Sequence, residues 1–312
     1  MTMPARINET DVKLLRMFQA VVACGGFTPA QTQLNVSAAT VSGQMAELEQ
    51  RLGFKLCERG RTGFRLTEEG RSVHAAAQRL FGAHEAFRSE VAALKGETVG
   101  TLRFGTVDNT ATNPEGRIAA ALGRFAEAAP AVHVALRIDE PISLERALLD
   151  GELDAAVAAF HHHAPGLAYE PLFEEDQGLY CGRGHPLFRR AQHRLPLEEI
   201  ARYRFVARGY MGERQAPAGV GIAPAATGYH MEAIMLLILS GSYIGHLPCQ
   251  YAAPWAAKGD VRELLPERFG YVSTFELAYR RSRMRDPVAR GFVHCLREAH
   301  GASPRGSRLR GR

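Results

Sequence analysis

The chain has 312 residues, of which 46% are hydrophobic, and its 38 Lys and Arg against 33 Asp and Glu leave a net charge of +5. That length accommodates two or three domains with packed cores, and a mild basic excess is compatible with nucleic acid without establishing it. Five scattered cysteines (Cys24, Cys57, Cys181, Cys249, Cys295) form no CxxC pair, which argues against a disulfide framework or zinc finger and for reduced thiols in a cytoplasm. The start of the chain lacks an apolar signal core, and its longest apolar run, Ala233–Leu239, is too short to span a membrane.

Residues 1–8 read as a loose arm. A helix is expected from Thr10 to Cys24, with Leu14, Phe18, Val21 and Val22 as its buried stripe and Gly25-Gly26 ending it. Thr28 reads as the N-cap of a short second helix with Pro29 in its first turn, and Asn35 supplies the turn that follows. Ser37 caps a third helix reaching Leu52, where Gly53 stops it. Val41, Met45, Leu48 and Leu52 form one apolar stripe, and the opposite face carries the small or polar Ala38, Thr40, Ser42 and Gln44. Such a face suits the major groove, where bulky acids would be repelled by phosphate. The competing reading is a generic helical hairpin with a solvated face.

Residues 54–66 alternate as a hairpin does, with Arg61-Thr62-Gly63 at the tip. Lys55, Arg59, Arg61 and Arg65 cluster there against Glu58 alone, a wing fit to grip phosphate or a solvated basic turn. Thr67 caps a long helix to about Leu94. Val73, Ala77, Leu80, His84, Phe87, Val91 and Leu94 recur on it at heptad spacing, which predicts a homodimer through residues 67–94. Lys95–Val99 reads as a hinge.

From Gly100 the pattern becomes α/β. Strands are expected at Leu102–Val107, Val132–Ile138, Ala155–Phe160, Leu179–Cys181, Phe205–Arg208, Tyr243–Leu247 and Phe275–Arg280. Helices are expected at Pro114–Ala128, Ser143–Asp150, Met231–Leu239, Pro248–Lys258 and Asp286–His300. Ser303–Arg312 reads as a disordered basic tail.

Two sets of motifs carry a family resemblance. Ser37-Ala38-Ala39-Thr40-Val41-Ser42-Gly43-Gln44-Met45, Leu52-Gly53-Phe54-Lys55-Leu56 and Phe64-Arg65-Leu66-Thr67-Glu68-Glu69-Gly70 resemble the winged helix-turn-helix of LysR-type transcriptional regulators. Ala38-Ala39 replaces the common Gln-Pro, and Gly43 replaces a basic residue, so one base-reading amide and one phosphate contact are in doubt. Leu149-Asp150-Gly151-Glu152-Leu153-Asp154, Gly184-His185-Pro186-Leu187 and Tyr243-Ile244-Gly245-His246-Leu247-Pro248 resemble that family's effector domain, a two-lobed α/β fold of the type 2 periplasmic-binding-protein kind. The resemblance implies an α+β multidomain chain: a winged helix-turn-helix at 1–66, a linker helix at 67–97, an effector domain at 98–302 and the tail at 303–312. Lobe I would hold about 98–163 and 270–302, and lobe II about 166–267, with glycine hinges at Pro165-Gly166 and Phe269-Gly270. The implied protein is a bacterial, cytoplasmic, sequence-specific regulator of double-stranded DNA. It would form a homodimer that pairs into a tetramer, bind a small-molecule effector and have RNA polymerase as a candidate partner.

Ligands of open α/β sheets bind beyond the carboxyl ends of strands. Those ends carry Thr106, Asp108, Asn109 and Thr110, then Pro141 and Ser143, Phe160, then Arg208, Gly209 and Tyr210, and finally His246. Hydroxyls, an amide, helix starts and an arginine suit a small organic anion. Alternatively Arg208 pairs with Asp108 or Glu232, and the acidic Asp108 leaves a neutral or cationic effector open. His161-His162-His163 reads as a solvated loop rather than a metal site, because neighbouring residues of extended chain point apart. No catalytic set or cofactor loop is present, so the expected protein is not an enzyme and carries no cofactor. The alternative is a small-molecule binding protein with a degenerate DNA-binding head.

Overall fold

A computed structural model of the chain describes residues 8–60, 63–95, 97–190, 195–211 and 222–301. Most of the expected N-terminal arm, the hairpin residues Arg61 and Thr62, and the basic tail lie outside them. The described residues fall into two compact units: the chain up to Arg88 with Asp150–Glu152, and Ser89–Leu149 with Leu153 onward.

The first unit opens with helix α1 (Glu9–Ala23), held by a reciprocal cap in which the Asn8 side chain accepts from the Asp11 amide and Asp11 accepts from the Asn8 amide. Helix α2 (Phe27–Leu34) starts earlier than expected: its N-cap is Gly26, not Thr28, which lies inside the first turn. Gly26 takes φ 150°, a conformation glycine tolerates, and that lets Phe27 turn onto Phe64. Asn35 is left-handed at φ 52°, and the Ser37 hydroxyl caps helix α3 (Ala38–Leu52) by accepting from the Thr40 amide at 3.1 Å. Val41, Met45 and Leu48 are buried against Leu14, Phe18 and Val21. Strands β1 (Cys57–Gly60) and β2 (Gly63–Leu66) pair antiparallel as the wing.

Helix α4 (Glu68–Ala93) is capped by Thr67, whose hydroxyl accepts from the Gly70 amide and donates to the Lys55 carbonyl. A Cβ at Gly70 would stand 1.9 Å from the Leu56 carbonyl oxygen, so only glycine fits where α4 passes the wing. The heptad seam divides. Val73 packs on the helix-turn-helix core, whereas Leu80, Phe87, Val91 and Leu94 are exposed.

The second unit is built on one nine-stranded sheet. Its strands are β3 (Gly100–Thr106), β4 (Val132–Ile138), β5 (Ala155–Ala158), β6 (Leu167–Gly182), β7 (Arg204–Arg208), β8 (Pro224–Gly228), β9 (Tyr243–Pro248), β10 (Val261–Glu263) and β11 (Tyr271–Arg280). The order is β4-β3-β5-β11-β6-β9-β7-β8, with β10 pairing β6. Its longer helices are α5 (Ile118–Ala128), α6 (Pro141–Asp150), α8 (Met231–Leu239), α9 (Cys249–Ala257) and α11 (Pro287–Ala299), with the short α7 (Leu197–Ile200) and α10 (Pro266–Phe269) between them. Helix α5 begins at Ile118 rather than Pro114, because Arg117 is left-handed at φ 38° and the Gly116 amide closes a turn on Asn113.

One core gathers Leu102, Phe104, Phe125, Leu144 and Phe292, and a second gathers Leu179, Phe205, Ile244 and Leu264. Strand β6 runs through both, whereas the core residues of β11 belong to the first. Leu167 and Phe173 belong to the first core and Leu179 to the second; Phe275 and Leu277 return to the first. The chain therefore leaves the first core inside β6, around Glu174–Gln177 and not at Gly166, and returns to it between Phe269 and Phe275, next to the expected Phe269-Gly270. The expected strand at Leu179–Cys181 is the end of a strand of 16 residues. Its polar middle, Glu174-Glu175-Asp176-Gln177, hid it from apolar patterning.

Phe292 packs edge-on against both Phe104 and Phe125 at centroid distances of 4.8 and 5.5 Å. Phe292→Ala is expected to cost about 3–5 kcal/mol in urea unfolding of the second unit.

Candidate functional site

Two sites arise, one in each unit. On α3 the exposed Ala38, the exposed Gly43 and the half-buried Thr40, Ser42 and Gln44 lie away from the Val41–Met45–Leu48 stripe. Ser37 and Thr40 hydroxyls bond one another at 2.8 Å, so both serve the helix start before they can serve a base. A Cβ at Gly43 would meet no neighbouring atom, so the basic residue usual there is missing from open surface, not excluded by packing. Thr28 is exposed at the start of α2. Arg59 lies opposite Phe64, and the exposed Arg65 lies opposite Glu58; Arg61 lies outside the described residues.

The base of the wing is fixed by buried Glu49, which accepts from the Leu56 amide at 2.9 Å and from Lys55 Nζ at 2.7 Å. Burial raises the Glu49 carboxyl, but Lys55 and the Leu56 amide outweigh it and hold it below the usual carboxylate range. Lys55 is thereby drawn to Glu49 while its side chain stays 76% exposed.

In the second unit β6 and β7 bring Glu175, Gln177 and Arg208 together. Arg208 ends β7 buried at 6% exposure, and its Nη2 donates to Gln177 Oε1 at 2.7 Å. Burial disfavours its charge, yet Tyr210, Tyr271 and Glu175 around it more than compensate and keep the guanidinium protonated. Buried Glu175 accepts from Gln250 at 2.6 Å, Gln177 at 2.6 Å and Asn113 at 3.3 Å. Burial pushes its carboxyl up against those bonds and the nearby Arg208. Across the cleft, Asp108 accepts from the Met231 amide that begins α8, at 2.5 Å, with His230 3.9 Å away. The space among Asp108, Asn109, Glu175, Arg208, Tyr210 and Ser273 is about 20 Å³, room for one water.

Several expected ligand groups are occupied in holding the fold. The Thr106 hydroxyl donates to the Val157 carbonyl at 3.0 Å and ties β3 to β5. Ser143 bonds Asp139. Asn109, left-handed at φ 65°, begins the turn at Thr110–Thr112; its Oδ1 accepts from the Thr112 hydroxyl at 2.8 Å, while its buried Nδ2 has no partner among the described residues. Gly209 is small because a Cβ would strike the Tyr229 ring at 2.4 Å, and it lines neither cavity of the cleft. Phe160 is buried in the first core and lines a second cavity of about 670 Å³, as does His246. Sequence patterning missed Glu175, Gln177 and Ser273, and the polar run inside a strand was the available signal. Among the described residues no cluster of His, Cys, Asp or Glu could hold a metal ion. His163 instead lies 2.9 Å from Glu276, and the His161 ring stacks on Tyr210. Among those residues no helix is long and apolar enough to cross a membrane.

The model of the bacterial regulatory helix-turn-helix protein, lysR family, matches residues 12–71, and that of the LysR substrate binding domain matches residues 95–301. The chain is a LysR-type transcriptional regulator. This regulator is 38% identical over 292 residues to the transcriptional activator BauR of Pseudomonas aeruginosa, covering 93% of this chain and 96% of that one. It is 30% identical to the SDS degradation transcriptional activation protein of a Pseudomonas strain, over 94% and 98% of the two chains. Its fold is shared with ArgP from Mycobacterium tuberculosis (TM-score 0.64, 19% identity, 97% and 100% covered). It is also shared with full-length CbnR solved with its target DNA (TM-score 0.61, 22% identity, 92% and 99% covered).

His246 is 3% exposed, and burial holds its ring down at about 4. An unfolded histidine takes up its proton near 6.5 and the folded one only near 4, so the stability it contributes is complete above pH 6.5 and is lost as pH falls toward 4. Over that window the second unit is expected to lose on the order of 3 kcal/mol through this residue. His246→Phe is expected to flatten that part of a stability-against-pH curve measured by urea titration.

Proposed function

We propose that the regulator reads promoter DNA in the cytoplasm with α3 in the major groove and the β1–β2 wing on phosphate, as a homodimer joined along α4. A small organic acid bound between the lobes of residues 98–302 then changes how the paired heads sit on DNA and how RNA polymerase uses the promoter. It acts by binding alone, with no catalytic step. The observation that carries the effector half is Arg208, a charged guanidinium buried at the end of β7 and bonded to Gln177 of β6. A buried cation with polar neighbours suits a carboxylate that replaces some of those contacts.

The dimer half is supported by Leu80, Phe87 and Val91 on α4 with Leu94 just past its end, an apolar seam left in solvent. Further apolar side chains at opposite edges of the sheet support pairing of effector domains into a tetramer: Leu136 and Ile138 on β4 with Ile142, and Leu236 on α8 with Tyr229.

Arg65→Ala is expected to weaken binding to specific and random DNA alike and to reduce the salt slope by about one unit. Gln44→Ala is expected to relax base preference and leave that slope unchanged. Gel shifts over a salt series distinguish them, and unchanged binding in both variants would remove α3 and the wing from DNA. Arg208→Ala is expected to lower effector sensitivity about ten- to a hundred-fold in a promoter reporter while DNA binding without effector survives. A full effector response from that variant would refute the anion anchor.

A further inference from the structure

The larger interlobe cavity, about 670 Å³, is of the size that holds a small organic molecule. It adjoins the Arg208 compartment, sharing Ala159 and Ser273 with it. The His161 ring on its wall stacks on Tyr210 at 6.1 Å, and Tyr210 is hydrogen bonded to Arg208. Aromatic and apolar side chains, Phe160, Phe269 and Met211, form much of the lining.

Two residues of this wall each carry a buried polar atom with no hydrogen-bond partner among the described residues, His246 its Nδ1 and Tyr271 its Oη. His246 Nε2 lies 3.3 Å from the Phe269 carbonyl oxygen. A carbonyl only accepts, so Nε2 carries the ring proton and Nδ1 is left as an acceptor. Burial, with Arg208 nearby, keeps the ring neutral at pH 7, its pKa held at about 4. A buried acceptor of this kind is unfavourable until a donor meets it. The adjacent strand is also incomplete. Tyr271–Phe275 pair with β6 only, because β5 joins β11 at Glu276–Ala278, and residues 270–274 line the cavity along that open edge.

We propose that this cavity is the specificity compartment of the effector site. It takes the aromatic body of an effector whose carboxylate reaches Arg208, and that body carries a hydroxyl or N–H donor that bonds to His246 Nδ1, with Tyr271 Oη as a second polar contact. The proposal rests on the reading of Arg208 as the anion anchor.

The test uses the full-length regulator, para-hydroxyphenylacetate and its O-methyl ether, para-methoxyphenylacetate, with the Met211 methyl signal followed by methionine-methyl NMR. The hydroxy acid is expected to shift that signal through its ring current and to saturate at millimolar concentration. The ether, which has no donor, is expected to bind about tenfold more weakly. His246→Phe should erase the difference between the two acids, and Tyr271→Phe, which keeps the ring and its packing, should weaken the hydroxy acid several-fold. A Met211 signal that neither acid moves, or equal affinity of both acids for the parent, would overturn the proposal. Loss of both acids in Arg208→Ala, with no effect from either ring variant, would overturn the compartment and leave the anchor standing. Undiminished binding in Arg208→Ala, with the preference erased in His246→Phe, would remove the anchor and keep the compartment.

Discussion

The antiparallel pairing of β6 with β11 is the constraint on which the effector domain depends. Its register runs unbroken from Tyr271 opposite Gln177 to Phe275 opposite Phe173 and, past a bulge, to Arg280 opposite Leu167. Because β6 carries residues of both cores, side chains on one face of it change from apolar to polar and back. Phe173 and Phe275 stack in lobe I, Glu175 and Gln177 sit at the crossing, and Leu179 enters lobe II. Period-two alternation puts all of them on the same face. The polar stretch is therefore delivered to the cleft by strand geometry, and Arg208 meets it from the end of β7. Buried polar groups there are tolerable because each bonds another: Gln177 links Arg208 to Glu175, and Gln250 and Asn113 complete the carboxylate.

The head uses the same economy. Glu49 holds the first residues of the wing, Thr67 bridges wing and long helix, and Gly70 lets the two backbones touch. None of these residues faces DNA in the reading given above, yet each fixes the angle at which α3 and the wing are presented together.

The head was legible in sequence because its signals are local. Ser37, Asn35 and Gly53 each act within a turn, and the Val41, Met45 and Leu48 stripe follows from helical period alone. Thr28 was misplaced as a cap because the decisive residue, Gly26, acts through a φ that no composition rule reports. In the effector domain the βα rhythm was readable, but the long strands were not, since Glu174–Gln177 breaks the apolar pattern that marks a strand. The cleft was half readable. Arg208 and Asp108 follow from the rule about carboxyl ends of strands, whereas Glu175 reaches the cleft from the middle of β6 and Tyr271 from the amino end of β11. Thr106 and Ser143 had the right location and the wrong orientation, because their hydroxyls were already needed by Val157 and Asp139. The heptad seam on α4 was read as one surface, but Val73 belongs to the head's own core.

Asp108 sits at the start of α8, where the helix offers its amides to an anion. The protein thus supplies its own carboxylate to that position, and a tethered carboxylate has an effective concentration set by chain geometry and independent of the cell. Val107, beside Asp108, is buried in the first core, and Met231 packs in the core under α8. One hydrogen bond from the loop after β3 therefore spans two cores and closes that amide to any soluble anion that cannot displace the built-in one.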